Sequence, residues 1–412
     1  MIVRESCDIA ILGAGVIGLA IAERLLAEGY GVTLVDPGPP GGGASYGNAG
    51  TIADYAVMPV GTPGVLRDLP RLMFDRNSPL ALRRSAIPAL APWLLRFLRQ
   101  SLPGAAARNA QALVGLLADA APLWNGLAER VGGAAILHPR GCLYLYETHA
   151  EFQAAAADMA HRRGMGVQVA LLNAQEVAAL EPGLPAIAGA AFFPQAVFMS
   201  DPGAMMARLA AHVLIRATLI QARAEKIIRT GTGVIITGPN LHLTARRVII
   251  AAGAHSRALA ASAGDRIPLD TERGYHLEWD MPTPPLTRPA CPTSRGFYLC
   301  PMQGRLRVAG TVELGGLTAP PSPHRLQRLE DGARKIFPHL GPPDRTWMGF
   351  RPSIPDSLPV IGASPHGAAV IHAFGHGHIG LTLAPVTARL VADLIAGRAP
   401  ERDITAVRVN RF

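Results

Sequence analysis

The sequence predicts an α/β fold in a chain long enough for two domains, and three stretches predict it. Residues 8–36, DIAILGAGVIGLAIAERLLAEGYGVTLVD, read as strand, glycine turn, helix and second strand. Residues 248–252, VIIAA, read as a further buried parallel strand with a sharp exit at Gly253. Residues 142–146, CLYLY, alternate as a strand of an antiparallel sheet does. The 412 residues are 49% hydrophobic and 17% charged, a composition that builds a sizeable core and excludes a disordered chain.

In the first stretch, Ile9 to Leu12 form the strand and Gly13-Ala14-Gly15-Val16-Ile17-Gly18 the turn into the helix. Leu19, Ala22, Leu25 and Leu26 recur at helical spacing, Gly29 stops the helix, and Val32 to Val35 make the next strand. This is the layout of a Rossmann-like dinucleotide cradle. Gly13 permits the tight turn, and Gly15 lets a pyrophosphate reach the helix N-terminus, where unpaired N–H groups and the helix dipole favour anions. Gly18 lets helix and strand pack closely. Asp36, eighteen residues after Gly18, stands where a carboxylate accepts hydrogen bonds from a ribose 2′-hydroxyl. A carboxylate there repels a 2′-phosphate, so NADP is disfavoured and the choice lies between NAD and FAD.

The formal charge is +9, but the cations are almost all arginine and are spread along the chain, with Arg-Arg doublets only at 83–84, 162–163 and 246–247. Aromatic residues make up 5% of the chain, too few for a base-stacking surface, so no nucleic-acid partner is expected. Positive charge serves an anionic substrate or an acidic membrane surface equally well. Cys7, Cys142, Cys291 and Cys300 form no C-x-x-C pair and read as buried thiols in a reducing compartment. The apolar run from Ile9 follows Glu5 and Asp8 and is broken by glycines, which is not the pattern of a signal peptide; a cytoplasmic protein is expected.

After Asp36 comes PGPPGGGASYGNAGTI, a glycine-rich loop where a nicotinamide enzyme would continue to another helix. GASYGNAG resembles the flavin-facing loop of the D-amino-acid oxidase and dehydrogenase superfamily, most closely that of the D-amino-acid dehydrogenases. The resemblance extends over SPLALR (78–83), RGCLYLYET (140–148), RGYHLE (273–278), GFRPSIPDSLPVIG (349–362) and FGHGHIGLT (374–382). One departure is Phe350, where many such dehydrogenases carry tryptophan. The resemblance implies non-covalent FAD, held by the cradle, by Ser45, Asn48, Ala49 and Gly50, by Gly253, and by Gly375, Gly377, His378, Ile379, Gly380, Leu381 and Thr382. It implies that a helix starting near Leu381 aims its N-terminus at the flavin's pyrimidine end, with Thr382 donating to O2. It also implies a discontinuous FAD domain, residues 1–60, 195–262 and 345–412, and a substrate domain, residues 61–194 and 263–344, with a mainly antiparallel sheet and helices.

Oxidation of an amino acid at a flavin needs a neutral amine, an oriented α C–H and a cationic clamp for the carboxylate. Arg351 is the expected clamp, because a guanidinium holds a carboxylate through two parallel bonds and the arginine matches the carboxylate-binding one of similar oxidases. The alternative is an ion pair with Asp356. Tyr275 is expected to close the pocket, and Tyr46, Tyr55, His276, Tyr298 and His376 are further candidates for substrate contact.

In AFGHGHIG, residues 373–380, two imidazoles two positions apart suit a metal only with further ligands, and no Cys, Asp or Glu lies within ten residues; no metal is expected. Residues 86–98, AIPALAPWLLRFL, are too short to span a bilayer and read either as an interfacial anchor near a quinone or respiratory acceptor, on the inner face of the cytoplasmic membrane, or as a helix packed on its own domain. The expected activity is FAD-dependent dehydrogenation of a D-amino acid or a cyclic imino acid such as D-proline or hydroxyproline. An oxygen-using oxidase of glycine or sarcosine type, and a flavin-binding partner subunit without turnover, are the alternatives.

Overall fold

The structure, a computed structural model, describes residues 3–74, 78 and 80–412. The first sheet runs through β1 (Val3–Leu12), β2 (Val32–Val35), β10 (Thr218–Ile220), β13 (Leu241–Ile250) and β20 (Gly367–Phe374), all parallel in the order β10-β2-β1-β13-β20. Its central strands are apolar on both faces because helices cover both. β11 (Lys226–Arg229) and β12 (Val234–Gly238) join β13 as an antiparallel meander, and β19 (Val360–Ser364) pairs antiparallel with β20.

One face of this sheet packs α1 (Val16–Ala27), α8 (Pro202–Leu214) and α11 (Gly380–Ala396), and the other packs α9 (Ser256–Ser262). Two helices from the expected substrate segment also join the first face. These are α4 (Pro103–Leu117) and α5 (Ala120–Arg130), whose Leu113, Leu117, Trp124 and Leu127 sit in the α1/α11 core. Their apolar stripes needed a partner, and the Trp124 Nε1–H donates to Leu381 O at 2.7 Å.

The second sheet holds nine strands and is mainly antiparallel. In spatial order they are β18 (Arg345–Ser353), β14 (Asp270–Asp280), β17 (Arg305–Leu314), β16 (Phe297–Met302), β15 (Ala290–Pro292), β6 (Cys142–Tyr146), β8 (Gly189–Phe193) and β7 (Ala170–Asn173). β4 (Leu80–Leu82), in the SPLALR segment, runs parallel beside β17; Pro79 of that segment lies outside the described residues. β3 (Thr51–Ile52), β9 (Val197–Met199) and β5 (Leu137–His138) form a separate small antiparallel sheet with β9 in the middle. Residues 345–353, expected in the FAD domain, are instead the edge strand of the second sheet, held by nine paired positions on β14.

Alternation divides the second sheet into a back and a front. On the back, Tyr275, Leu277, Phe297, Leu299, Val308 and Leu143 pack against Leu329, Ala333 and Ile336 of α10 (Pro323–Ile336). At the β6 end the front is covered by α6 (His149–Gly164), while α7 (Ala174–Leu180) follows β7. At the β18 end, beyond α2 (Pro63–Phe74), the front is roofed by α3 (Ile87–Gln100). The apolar face of α3 is spent inside the protein. Leu90, Trp93 and Phe97 are buried, and Trp93 Nε1–H donates to Ser353 O at 3.2 Å. Leu95 remains 68% exposed beside the exposed Arg96 and Arg99. Among the described residues no helix is long and apolar enough to cross a membrane.

Candidate functional site

The cradle forms where the local glycine pattern requires it. Gly13 has φ +110°, and a Cβ on Gly18 would stand 1.9 Å from Gly13 O, so only glycine lets α1 start this close to the turn. Gly15 is the N-cap of α1 and offers no capping side chain. One first-turn donor is taken across the fold, as Val16 N–H donates to Ser45 Oγ at 2.9 Å; Ile17 follows in the same turn. Asp36 turns its carboxylate to the cradle, where Oδ2 accepts from Ala14 N–H at 2.7 Å and Oδ1 from Gly38 N–H at 2.8 Å. Gly253, φ +54°, turns the chain out of the sheet after β13.

The loop 44–50 is braced at several points. Asn48 Nδ2 donates to Ser45 O and its Oδ1 accepts from Gly50 N–H, which sets the turn around Ala49. The Arg307 guanidinium, fully buried on the front of β17, donates from Nη1 to Tyr46 O at 3.0 Å and to Asn48 O at 2.7 Å. The Tyr46 ring lies 5.5 Å from that guanidinium, so Tyr46 belongs to the loop's anchorage. His276 Nδ1–H donates to Gly47 O at 3.0 Å and its ring stacks on Trp347. Burial and the nearby Arg307 charge lower His276 to about 4, so it is a neutral brace at physiological pH. Arg307 in turn is paired with Glu278, which also takes Arg305 and Arg345. Burial alone would raise that carboxyl, but the three guanidiniums outweigh it and hold it at about 2.

At the far end of the loop Ala53 N–H donates to Thr382 Oγ1 at 3.0 Å, tying the 44–53 segment to the first turn of α11. Ile379 is the N-cap of α11, with Gly380, Leu381 and Thr382 next, and no side chain caps it. Gly375 and Gly377 have φ of +83° and +55° and bend the chain into the helix. His376 is buried, with Nε2 2.9 Å from Thr387 Oγ1, which ties its ring to α11. His378 lines a hollow under α3 and is itself partly open to solvent, and surrounding protein and the Arg351 charge lower its pKa.

Arg351 lies on the front of β18. Its side chain crosses β14 above Gly274 and donates from Nη1 to Thr311 O on β17 at 3.1 Å. That is its sole hydrogen bond among the described residues, and Asp356, the alternative partner, is taken by Arg411. The carbonyl reaches Arg351 because β17 carries an extra residue: Thr311 and Val312 together oppose Gly274. Thr311 has φ +56°, a conformation that costs a β-branched residue about 1–3 kcal/mol. Burial lowers the Arg351 pKa, and Glu272, its cross-strand partner, offsets part of that.

Tyr275, expected to close this pocket, is on the other face of β14. The bulge turns Glu313 to the back, and there Tyr275 Oη donates to Glu313 while accepting from Ser322 N–H at 3.1 Å. Phe350 shares that back face, 5.9 Å from the Arg273 guanidinium, so the departure at GFRP does not touch the Arg351 side. Tyr55 and Tyr298 do come together, with hydroxyls 3.4 Å apart and Tyr144 joined to Tyr298 at 3.2 Å. Burial raises all three phenols, keeping them protonated donors. Gly274, Thr311, Glu272, Arg307, Glu278 and Tyr144 were not singled out as site residues. Tyr144 is part of an alternating strand and Gly274 and Glu278 lie within RGYHLE, whereas Thr311, Glu272 and Arg307 carry no local signal in the sequence.

The arrangement suits FAD on its own terms. An uncapped helix N-terminus lies beside the Asp36 carboxylate, a braced glycine loop follows it, and among the described residues the buried Thr51 hydroxyl beside that loop has no partner. Residues 8–394 match the family described as FAD dependent oxidoreductase, DAO. A protein of Bradyrhizobium diazoefficiens described as D-amino-acid oxidase is 37% identical, over 99% of both chains. A D-amino acid dehydrogenase of Cereibacter sphaeroides is 30% identical, over 98% of this chain and 95% of its own. The crystal structure of glycine oxidase from Geobacillus kaustophilus superposes with a TM-score of 0.76 at 26% identity, over 99% of both chains. With the family's pattern matched over residues 8–394 and a relative 37% identical over 99% of both chains, the chain belongs to the DAO family of FAD-dependent oxidoreductases.

Proposed function

We propose that the protein is a FAD-dependent dehydrogenase that oxidises the Cα–N bond of a D-amino acid, or of a cyclic imino acid of the proline or hydroxyproline type, to the imine. The observation that carries this reading is the Arg351 guanidinium, laid across the sheet front with a single bond, to Thr311 O. A guanidinium with free donors is a receptor for a carboxylate. Gly13 to Gly18, Asp36, the 44–50 loop and the N-terminus of α11 would hold FAD. When bound, the flavin would accept the hydride that leaves the Cα–H bond as the Cα–N bond becomes double. The chain's own residues orient the substrate: Arg351 fixes its carboxylate, and Trp93 and Phe97 exclude water on the α3 side. The imine then hydrolyses in water to a 2-oxo acid and ammonia, or remains a cyclic imine when the substrate is proline-like.

The likeness to a protein described as a dehydrogenase supports a quinone or respiratory acceptor. The likeness to glycine oxidase and to a D-amino-acid oxidase supports the second reading, an oxidase that passes electrons to oxygen. A panel of D- and L-amino acids, glycine, sarcosine and prolines, scored by anaerobic bleaching of the flavin, tests the substrate. Reoxidation by oxygen against a soluble quinone then separates the two acceptors. Bleaching by none of the panel would sink the reading.

A further inference from the structure

A second charge stands on the Arg351 face. Glu272 is 6% exposed and pairs with Arg351 across β14 and β18. Unlike Glu181, Glu278 and Glu313, which are bound by arginines, it has no arginine within ion-pair distance among the described residues; the Arg351 charge acts on it from farther off and the Ser353 hydroxyl hydrogen-bonds it. It lines the hollow under α3 with Trp93, Phe97, Ser353, Gly377 and His378, a space of about one water molecule. A buried carboxylate without a bound cation is costly; it takes up a proton or gains by acquiring a cationic partner. Arg351 likewise has no carboxylate within ion-pair distance among the described residues, its one hydrogen bond going to Thr311 O. One group of each sign on a common face, not joined to each other, is the complement of a zwitterion.

We propose that Glu272 binds the substrate's ammonium group and takes a proton from it, so that Arg351 and Glu272 together select an α-amino acid over a carboxylate that lacks the amine. This rests on the amino-acid reading above. In the step an N–H bond breaks and an O–H bond forms on Glu272, leaving the amine neutral with its lone pair free. A protonated amine has no lone pair to release as the Cα–H bond breaks, so oxidation waits on this transfer. The proton returns to solvent when the product leaves.

The groups facing Glu272 fit the role. Burial raises its carboxyl, and the Arg351 charge pulls it partly back. His378 is held low and neutral, and α3 contributes only the apolar Trp93 and Phe97. Glu272 must be ionised to accept the proton, so turnover is present above its pKa and lost as pH falls through it.

The test compares wild-type holoenzyme with Glu272→Gln and Glu272→Asp, by anaerobic flavin reduction across pH with the best amino acid. Wild type should show an acid limb above the ordinary carboxylate range. Glu272→Gln should lose that limb, fall by roughly 10²- to 10⁴-fold near neutral pH, and recover as pH approaches the substrate amine's own pKa. Glu272→Asp should keep the limb. Calorimetry should show wild type binding the amino acid at least about tenfold more tightly than the same carboxylate without its amine. Glu272→Gln should lose that preference. An unchanged pH profile and preference in Glu272→Gln overturns the assignment while the enzyme still oxidises amino acids. Should that variant not hold flavin, equal wild-type affinity for the paired ligands overturns it. A wild-type enzyme that no amino acid reduces removes the functional reading and this assignment together.

Discussion

The guanidinium of Arg351 rests on the Cα of Gly274, where a Cβ would stand 2.6 Å from Nη2 and 2.7 Å from Cζ. No side chain fits beneath it. Gly274→Ala therefore has to push the guanidinium off Thr311 O, and a displacement of about 1 Å at a positioning group costs on the order of a hundredfold. A fall in kcat/KM of roughly tenfold to a hundredfold is expected, with flavin content retained. An alanine variant of wild-type efficiency would show that the clamp lies elsewhere.

Removing the guanidinium itself should act more strongly. A charge-assisted bond is worth about 1.5–3 kcal/mol, and stranding the substrate carboxylate costs more. Arg351→Met should lower kcat/KM by about a hundredfold or more, each tenfold being about 1.4 kcal/mol, while the visible spectrum persists. Arg351→Lys should restore only part, because an ammonium lacks the planar fork. Loss of flavin from either variant would make Arg351 a structural residue.

Arg307 should govern cofactor retention. It is fully buried, holds two carbonyls of the 44–50 loop and sits 2.8 Å from Glu278. Arg307→Met frees the loop and leaves Glu278 to Arg305 and Arg345, a change that costs up to about 3–5 kcal/mol. FAD affinity, read by fluorescence of released flavin, should fall more than about tenfold. A variant that retains FAD as tightly as wild type would exclude the loop anchorage from cofactor binding.

Acid should expose the Glu278 network. Its carboxyl lies at about 2 in the fold against an ordinary 4.5, held down by Arg307, Arg345 and Arg305 against its burial. Such a depressed group contributes stability that is complete above the unfolded pKa and is lost as pH falls from about 4.5 toward 2. The gap amounts to roughly 3 kcal/mol. Urea midpoints should drop through that window in wild type and change less in Glu278→Gln, which should be the less stable protein at neutral pH. Parallel curves for the two would remove Glu278 as the source.

Denaturation in acid should release the flavin into solution. All four cysteines are free, and burial raises Cys142, Cys291 and Cys300, which makes them poor nucleophiles. A chelator should leave turnover unchanged, because His376 is tied to Thr387 while His378 faces the hollow. Flavin that stays with the precipitate, or zinc required for activity, would contradict these expectations.

The cradle was legible because its requirement is local. Gly13 and Gly18 lie within one turn of each other, and the 1.9 Å approach that demands glycine is made inside that turn. The strand, helix and strand around it follow from apolar spacing alone, and Arg351 is picked out by the resemblance of its segment to that of similar oxidases together with the planar fork that a carboxylate clamp needs. What surrounds Arg351 was decided by tertiary structure. Gly274, Thr311 and Glu272 reach it from β14 and β17, segments joined only by register, and one extra residue in β17 sets Thr311 O toward the guanidinium and Glu313 away from it. Alternation along RGYHLE separates Tyr275 from Gly274 and His276, but periodicity does not say which set faces the ligand. The packing of α10 settles that, burying Tyr275 on the back beside a carboxylate that the bulge has turned to meet it.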